Sequence, residues 1–332
     1  MSKVHTKTTK KRILSAGLVG CGNAARLFHI PAFKQVKNVS IVAYCDLDED
    51  KAKAVAHQHG GNFYIGIDDM LEAEELDIVA VFTRESERLD PVLKALQAQK
   101  HVLCEVPLFA KRGQNSVQPD DVEAARKIME AWKKARTVFG AVFNYRLSPH
   151  LARLKADIAA GVYGTPVILN AEADLSAFCH VIDLLRWLNG DIKELFTYKT
   201  GPEDAKHCTA SLLFDNGSLG SIACTSLLSG EGPTFRIEYI GTKARGVVED
   251  PAMSYVLRPA ETKEIVLWQY REAGYQEALR KTFVDLLAAF VESIKRGNDP
   301  VATGTDALRE LEIAGAMHLS AERSLPIKIE RH

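Results

Sequence analysis

The sequence predicts an α/β protein of two domains, the first with a doubly wound parallel sheet and the second with a large, mostly antiparallel open sheet. Strand-length apolar runs alternate with helical segments over residues 12–142, and apolar and polar residues then alternate with period two over much of 143–332. The 332 residues, 46% of them hydrophobic, are also enough for two cores. We place the domain boundary between Val142 and Phe143.

The first domain contains five predicted strands, each short and rich in β-branched residues. In chain order they are RILSAGLVG, NVSIVAYCD, LDIVAVFT, KHVLCEVP and RTVFGAVFN. The segments with helical spacing between them are Ala24 to Lys34, Glu49 to His59, Asp90 to Gln99 and Asp121 to Ala135. This alternation predicts crossover connections and a parallel sheet with helices on both faces. The polar stretch Ala110 to Asp121 is predicted to be an exposed loop inserted before the fourth helix.

The second domain begins with a predicted helix, HLARLKADIAAG, and continues as strands joined by turns. The runs with strand character are TPVILNAEA, HCTASLLFDNGSLGSIACTSLL, TFRIEYIGTKARGVVED and SYVLRPAETKEIVLWQ. The Asp215-Asn216-Gly217 turn is typical of an antiparallel hairpin. Two helices close the chain: one over Tyr275 to Arg296, and one in NDPVATGTDALRELEIAGAMHLSAER, where Thr or Asp is suited to begin it.

Composition excludes several classes of function. The formal net charge of -1 and a pI of about 6.8 favour neither nucleic acid nor an anionic membrane as a partner, which leaves small molecules and other copies of the chain. Six cysteines without a Cys-x-x-Cys pair or a His/Cys cluster predict a reduced, cytoplasmic protein with no metal site. Residues 1–11 are predicted to be a disordered basic tail, with no signal peptide or membrane span.

The stretch GLVGCGNAARLFHIPAF predicts a dinucleotide site. Gly20, Gly22 and Ala25 form a G-x-G-x-x-A pattern between a predicted strand and a predicted helix. Gly20 permits the tight turn, and Gly22 lets the backbone approach a diphosphate. Asn23 and Ala24 begin the helix whose free N–H groups and dipole favour the anion.

Asp46 ends the second strand, roughly twenty residues after the glycine pattern, where a carboxylate accepts hydrogen bonds from the ribose hydroxyls. Its charge would repel a 2′-phosphate, and no Arg or Lys follows before Lys51, so NAD is favoured over NADP. The alternative for Asp46 is an N-cap of the next helix.

The glycine pattern and Asp46, together with stretches further along, make the chain resemble the glucose-fructose oxidoreductase / inositol dehydrogenase (Gfo/Idh/MocA) family over nearly its whole length. The matching stretches are GLVGCGNAARLFHIPAF, KHVLCEVPLF, FNYRLSPHLARLKADIAAGVYGTPV, HVIDLLRWLNGD, ASLLFDNGSLGSI, YIGTKARGVVE and GTDALRELEIAGAMHLSAE. The resemblance implies a Rossmann domain, NAD(P), a sugar or polyol substrate, and a homodimer or homotetramer formed through the open sheet. It also implies cofactor contacts from Thr83, Arg84, Glu105, Val106 and Asn144.

The resemblance fails at the catalytic positions. Where family members carry Glu-Lys-Pro, this chain has Glu105, Val106 and Pro107, so the lysine is missing. Where they carry Asp-x-x-x-His, it has Ser176 and His180, so the aspartate is missing. Valine does not carry a proton, and a serine hydroxyl is a poor base unless another group activates it.

His180 is the remaining acid/base candidate, because an imidazole titrates near neutral pH. Asp183 lies one turn along the same predicted helix, where it is expected to orient or charge that ring. Tyr145 lies at the domain junction, where the resemblance implies contact with substrate or cofactor. The alternative is that His180 and Asp183 are only structural. Arg84 and Arg88 either favour an acidic substrate or are surface residues.

Three functions fit these residues. The first is an NAD(P)-dependent oxidoreductase acting on a sugar, polyol or related small molecule through a remodelled pocket. The second is a catalytically silent NAD-binding sensor or regulatory protein, which the losses at Val106 and Ser176 favour. The third is a non-redox reaction with tightly held NAD.

Overall fold

The computed structural model describes residues 12–201, 206–226, 235–269 and 274–330. Within these ranges it contains one parallel sheet and one mixed sheet, which confirms the predicted fold class. The predicted basic tail, residues 1–11, lies outside the described residues.

The parallel sheet is formed by the first half of the chain. Its strands are β1 (Leu14–Val19), β2 (Val39–Cys45), β3 (Asn62–Tyr64), β4 (Ile78–Val81), β5 (His101–Cys104) and β6 (Phe139–Ala141). The helices between them are α1 (Ile30–Gln35), α2 (Glu49–His59), α3 (Ile67–Ala73), α4 (Leu89–Gln97) and α5 (Pro119–Lys134). The strand order is β3-β2-β1-β4-β5-β6. The order reverses between β1 and β4, so the carboxyl ends of these two strands border a crevice suited to a ligand.

The predicted elements of this half are present, with two differences. The strand β3 and the helix α3 were not predicted, because β3 has only three residues, none of them buried, and so lacks an apolar run. The predicted helix Ala24 to Lys34 begins instead with a π-helical segment, Ala25–His29, which precedes α1. Such segments are rare and often lie at functional sites.

The mixed sheet is formed by the second half. Its strands are β7 (Pro166–Asp174), β8 (Ile192–Thr200), β9 (His207–Phe214), β10 (Leu219–Thr225), β11 (Phe235–Gly241), β12 (Ala244–Glu249), β13 (Ser254–Pro259), β14 (Val266–Gln269) and β15 (Ile327–Lys328). Its helices are α6 (Pro149–Ala159), α7 (Phe178–Asn189), α8 (Asp250–Met253), α9 (Tyr275–Arg296) and α10 (Gly304–Arg323). The order is β14-β13-β12-β11-β7-β10-β9-β8-β15, and β7 with β10 is the only parallel pair among the described strands of this sheet.

The last two long helices return to the parallel sheet. Phe290 of α9 packs so closely on β6 that a Cβ on Gly140 would lie 2.6 Å from its ring. Phe283 of the same helix stacks on Phe28, with the ring centroids 4.9 Å apart. Before α10, the Ala302 carbonyl accepts a hydrogen bond from the Ala141 amide at 3.0 Å and extends the edge of the sheet. The two halves therefore share a packed junction.

The loop 110–121 was predicted to be exposed, and this was wrong for much of its length. Val117 is 1% exposed, and the buried Asp121 carboxylate accepts hydrogen bonds from the amides of Lys111 and Gln118 at 2.9 and 2.8 Å. Gln114 donates to the Ser176 carbonyl at 3.1 Å. The polar composition therefore reflects hydrogen bonds that join the loop to the second half of the chain.

Candidate functional site

The glycine turn after β1 has the geometry that the sequence predicts. Gly20 has φ of +96°, and a Cβ there would lie 2.7 Å from the Thr83 amide nitrogen, so a side chain is excluded by strain and by space. The Gly20 amide donates to the Cys45 carbonyl at 2.8 Å, which fixes the turn against β2.

The next glycine leaves room for a ligand. No atom of the described residues lies within 4 Å of the position of a Cβ on Gly22. Asn23 and Ala24, which begin the helix, are exposed. An open space in front of a helix start is the environment that a diphosphate requires, so this turn fits the predicted cofactor.

Asp46 lies beside this turn at the end of β2. Its Oδ2 atom accepts a hydrogen bond from the Cys21 amide at 2.7 Å, and its Oδ1 atom accepts one from the Asp48 amide at 2.9 Å. The N-cap of α2 is Asp48, whose side chain accepts from the Lys51 amide, so the alternative for Asp46 is not supported. Each carboxylate oxygen has a second lone pair, which leaves Asp46 able to accept from ribose hydroxyls.

The two arginines after β4 have different positions. Arg88 is 6% exposed and donates to the carbonyl oxygens of Thr83 and Pro107 at 3.1 and 2.5 Å, so it joins two loops of the crevice and is not available to a substrate. Arg84 is exposed, and its charge slightly opposes the rise that Asp48 causes in the pKa of Lys51, which places Arg84 towards the Asp46 side of the site. Thr83 is half-buried beside Gly20.

Glu105 follows β5 and is held by a histidine that the sequence reasoning missed. Its Oε1 atom lies 2.6 Å from Nε2 of His29, and the His29 ring stacks on Phe82 with a centroid distance of 3.5 Å. Burial alone would raise the pKa of Glu105, but the hydrogen bond and charge of His29, with smaller effects of Arg88 and His180, hold this pKa below its ordinary value. Glu105 is therefore a fixed negative charge. The signal that could have found His29 is a histidine within the apolar first helix.

His180 lies in the first turn of α7. Its ring centroid is 4.7 Å from that of Tyr145 and 6.0 Å from that of Phe143. Burial lowers the pKa of His180 to about 4, and the charge of Glu105 opposes that effect. The ring is therefore neutral at physiological pH. Its Nδ1 atom is buried and has no hydrogen-bond partner among the described residues.

Val106 and Ser176, at the two positions where the sequence lacks the family's ionisable residues, do not supply a second base. Val106 is 7% exposed. Ser176 is exposed in the turn before α7, and its amide donates to Asp174 Oδ1 at 2.8 Å. The structure thus offers neither an ammonium nor a carboxylate at these two positions.

The expected contact of Asp183 with His180 is not observed. Both Asp183 carboxylate oxygens accept hydrogen bonds from Arg146, at 2.9 and 2.5 Å, and both side chains are buried. Arg146 also pairs with Asp306 at 3.0 Å and donates to the Val301 carbonyl at 2.9 Å. A buried guanidinium requires such partners, and Asp183 is the nearest carboxylate on α7, so the ion pair is favoured over the histidine.

Asn144 does not face the crevice. It is 1% exposed, and its Nδ2 atom donates to Thr282 Oγ1 of α9 at 2.8 Å. This buried position argues against the predicted cofactor contact and gives Asn144 a packing role at the junction.

The chain belongs to the Gfo/Idh/MocA oxidoreductase family. The family profile described as "Oxidoreductase family, NAD-binding Rossmann fold" matches residues 14–142, and the one described as "Oxidoreductase family, C-terminal alpha/beta domain" matches residues 175–329. These matches confirm the resemblance, and they identify the first half as an NAD-binding domain.

Among individual relatives, the inositol 2-dehydrogenase of Rubrobacter xylanophilus is 26% identical over 96% of this chain and 93% of its own length. Among solved structures, levoglucosan dehydrogenase in complex with NADH has a TM-score of 0.84 and 18% identity, covering 96% of this chain and 100% of that one. The WlbA dehydrogenase of Bordetella pertussis, in complex with NADH and UDP-GlcNAcA, has a TM-score of 0.80 and 21% identity, covering 97% and 99%.

Two features are absent from the described residues. No group of three or more His, Cys, Asp or Glu side chains in these ranges is arranged to hold a metal ion. None of the described helices is both long and apolar enough to cross a membrane.

Asp46 generates a prediction about the cofactor. NADH should bind more tightly than NADPH, because the carboxylate accepts from ribose hydroxyls and repels a 2′-phosphate. Asp46→Asn should reduce this preference by about tenfold or more, since it removes a charge-assisted contact. Calorimetric titration with both coenzymes measures the ratio.

Asp48→Asn is the matched control, because it removes the same charge two residues away and keeps an N-cap side chain. It should leave the ratio unchanged. A wild-type protein that binds NADPH more tightly than NADH would contradict the role of Asp46.

Proposed function

We propose that the protein is an NAD-dependent dehydrogenase acting on a hydroxyl group of a sugar, polyol or related small molecule, with His180 as the group that takes the hydroxyl proton. The family, the open glycine turn and the position of Asp46 support the cofactor part of this proposal. In this proposal the domain 12–142 binds the coenzyme, and the domain 143–332 binds the substrate and mediates self-association.

The observation that carries the proposal is the unpartnered Nδ1 atom of His180. Buried ring nitrogens nearly always have a hydrogen-bond partner, and exceptions are enriched at sites that bind ligands. The nitrogen lies near Glu105, which is held beside the crevice by His29. A ligand hydroxyl is a suitable partner for it.

Bound NAD supplies the hydride acceptor. The chain's own residues then have to hold the substrate hydroxyl and receive its proton. A neutral imidazole accepts a hydrogen bond at one nitrogen, so His180 is in the correct form at physiological pH. Burial penalises the imidazolium that forms on proton transfer, and the negative charge of Glu105 reduces that penalty. Tyr145, against the same ring, limits its rotation.

A second candidate function is a catalytically silent NAD-binding protein. It is favoured by the absence of an ionisable side chain at both Val106 and Ser176. Loss of one general base still leaves much of the rate that binding and orientation supply, so these replacements alone do not exclude turnover. The six free cysteines are all buried, which fits a reducing compartment such as the cytoplasm for either function.

We also propose that the chain forms a homodimer or homotetramer through one face of the mixed sheet. Along β9, buried Ala210 and Leu212 alternate with exposed Thr209 and Ser211, so the opposite face is open in the single chain. The exposed side chains Tyr198 and Leu219 lie on it.

Leu219→Asp should shift the protein towards monomer in analytical ultracentrifugation, because it places a charge in an apolar contact. A wild-type monomer at micromolar concentration would contradict this.

His180→Ala tests the catalytic proposal. In assays that follow NADH formation over a panel of inositols, aldoses and sugar acids, this variant should lower kcat/KM by about 10²–10⁴, the usual effect of losing a general base. Its affinity for NADH should stay close to that of the wild type, because the change lies on the substrate side.

His57→Ala, at an exposed position of α2, is the control and should retain full activity. Equal rates for His180→Ala and wild type would show that His180 does not take the proton. A wild type that binds NADH but turns over no compound in either direction would favour the silent protein.

A further inference from the structure

The loop 110–121 forms one wall of a cavity. The cavity measures about 210 Å³ and lies between this loop, the start of α7, the adjoining ends of β8 and β9, and α10. A second cavity of about 260 Å³ continues along the loop and reaches Glu85. The two share Asn115, Ser116, Leu175 and Lys206 in their walls, so they adjoin each other, and together we name them the loop cavity.

The charged side chains that the described residues contribute to the loop cavity are mostly basic. The smaller part is lined by Lys199, Lys206, His207 and His318, and by no acidic side chain among the described residues. Arg112 lines the adjoining part, where Glu85 is the acidic group. A neutral protein that gathers cations on the walls of a cavity creates a local positive potential suited to an anion.

These cations are close enough to influence one another. Burial lowers the pKa of Lys199, and the like charge of Lys206 lowers it further while Cys208 opposes the change. Burial also lowers the pKa of His318. The charges of Lys199 and Arg112 lower this pKa further, and the charge of Glu322 opposes the change. Half-buried like charges repel, and a bound anion would relieve that repulsion.

Two polar groups in the wall are available to a ligand. Lys199 Nζ donates a hydrogen bond to the Asn115 carbonyl at 3.2 Å. This is the only hydrogen bond that the described residues show for the Lys199 ammonium, which can donate three. The Oδ1 atom of Asn115 is buried and without a hydrogen-bond partner among the described residues. An ammonium beside a free amide oxygen matches an anionic group next to a hydroxyl.

The loop cavity adjoins the proposed reaction site. Its wall includes Leu175 and Phe178, which lie on either side of Ser176 and precede His180 by five and two residues. Gln114, in the wall of the second part, donates to the Ser176 carbonyl. The loop cavity and His180 are therefore linked by the turn 175–177 that precedes α7.

We propose that the loop cavity binds an anionic group of the substrate, a carboxylate or a phosphate, through Lys199 with support from Arg112 and His318. The inference rests on the proposed function, and it narrows the substrate class to sugar acids or sugar phosphates. It also gives the loop 110–121 a role in specificity, because the loop supplies both Arg112 and Asn115.

Binding and turnover test the proposal separately. In the binding arm, the protein saturated with NADH is titrated with inorganic phosphate and with D-gluconate by calorimetry. In the turnover arm, each sugar acid and sugar phosphate is compared with its neutral sugar. Wild type should show a lower KM for the acidic member of a pair. Lys199→Met should weaken binding of the anion, and raise the KM for the acidic substrate, by about tenfold or more. The kcat and the KM for the neutral sugar should stay nearly unchanged.

Lys193→Met is the matched control, because Lys193 lies on the same strand but is exposed. It should change neither arm. Should Lys199→Met fail to fold, Arg112→Gln at an exposed loop position takes its place, with an expected loss of severalfold. The anion that binds identifies the group as a phosphate or a carboxylate.

The outcomes separate this inference from the proposed function. Anion binding that depends on Lys199 without any turnover would support the subsite and contradict the dehydrogenase. Turnover with equal KM for the acidic and the neutral substrate of a pair would support the dehydrogenase and contradict the subsite. The inference is overturned if neither anion binds wild type, or if Lys199→Met (or Arg112→Gln in its place) binds both as well as wild type does.

Discussion

Desolvation at the junction of the two halves is the constraint on which the site depends. The carboxyl ends of β4 and β5, the turn before α6 and the start of α7 meet there, and α9 and α10 close over them. A charge placed in such a region needs a partner, because water is not available to solvate it. Most of the junction obeys this: Arg146 is paired with Asp183 and Asp306, Arg88 is held by two carbonyls, and Glu105 is held by His29.

His180 is the departure from that pattern. It is half-buried at the same junction, yet its buried ring nitrogen lacks a partner within the described chain. The folded protein also binds a proton at this ring less readily than the unfolded chain, since burial lowers the pKa from about 6.5 to about 4. Acidification from about pH 6.5 towards pH 4 therefore costs stability at this position. A group kept at such a cost, in reach of a cofactor crevice, is more readily explained by chemistry than by packing.

Much of the fold could be predicted because five of the six strands of the first half carry an apolar run and four of its five helices show helical spacing. Helix α2 begins and ends where the spacing predicts, and the glycine turn has the predicted shape because few backbone geometries permit it. The strand β3 was missed because it contains no buried residue. The ion pair of Asp183 could not be predicted from the sequence. Helical spacing places Asp183 near His180, but it does not show that Arg146, which is distant along the chain, binds Asp183 instead. The same holds for His29 and Lys199, whose partners come from remote segments.

The central claim is that His180 is a neutral imidazole at physiological pH, with one ring nitrogen buried. An NMR titration that follows the ring protons of His180, assigned by comparison with His180→Asn, tests it most directly. We expect no titration of this ring between about pH 8 and pH 5, and the onset of protonation only as the pH approaches about 4. A midpoint near 6.5 or above would show that the ring is solvated or paired, and would contradict the account.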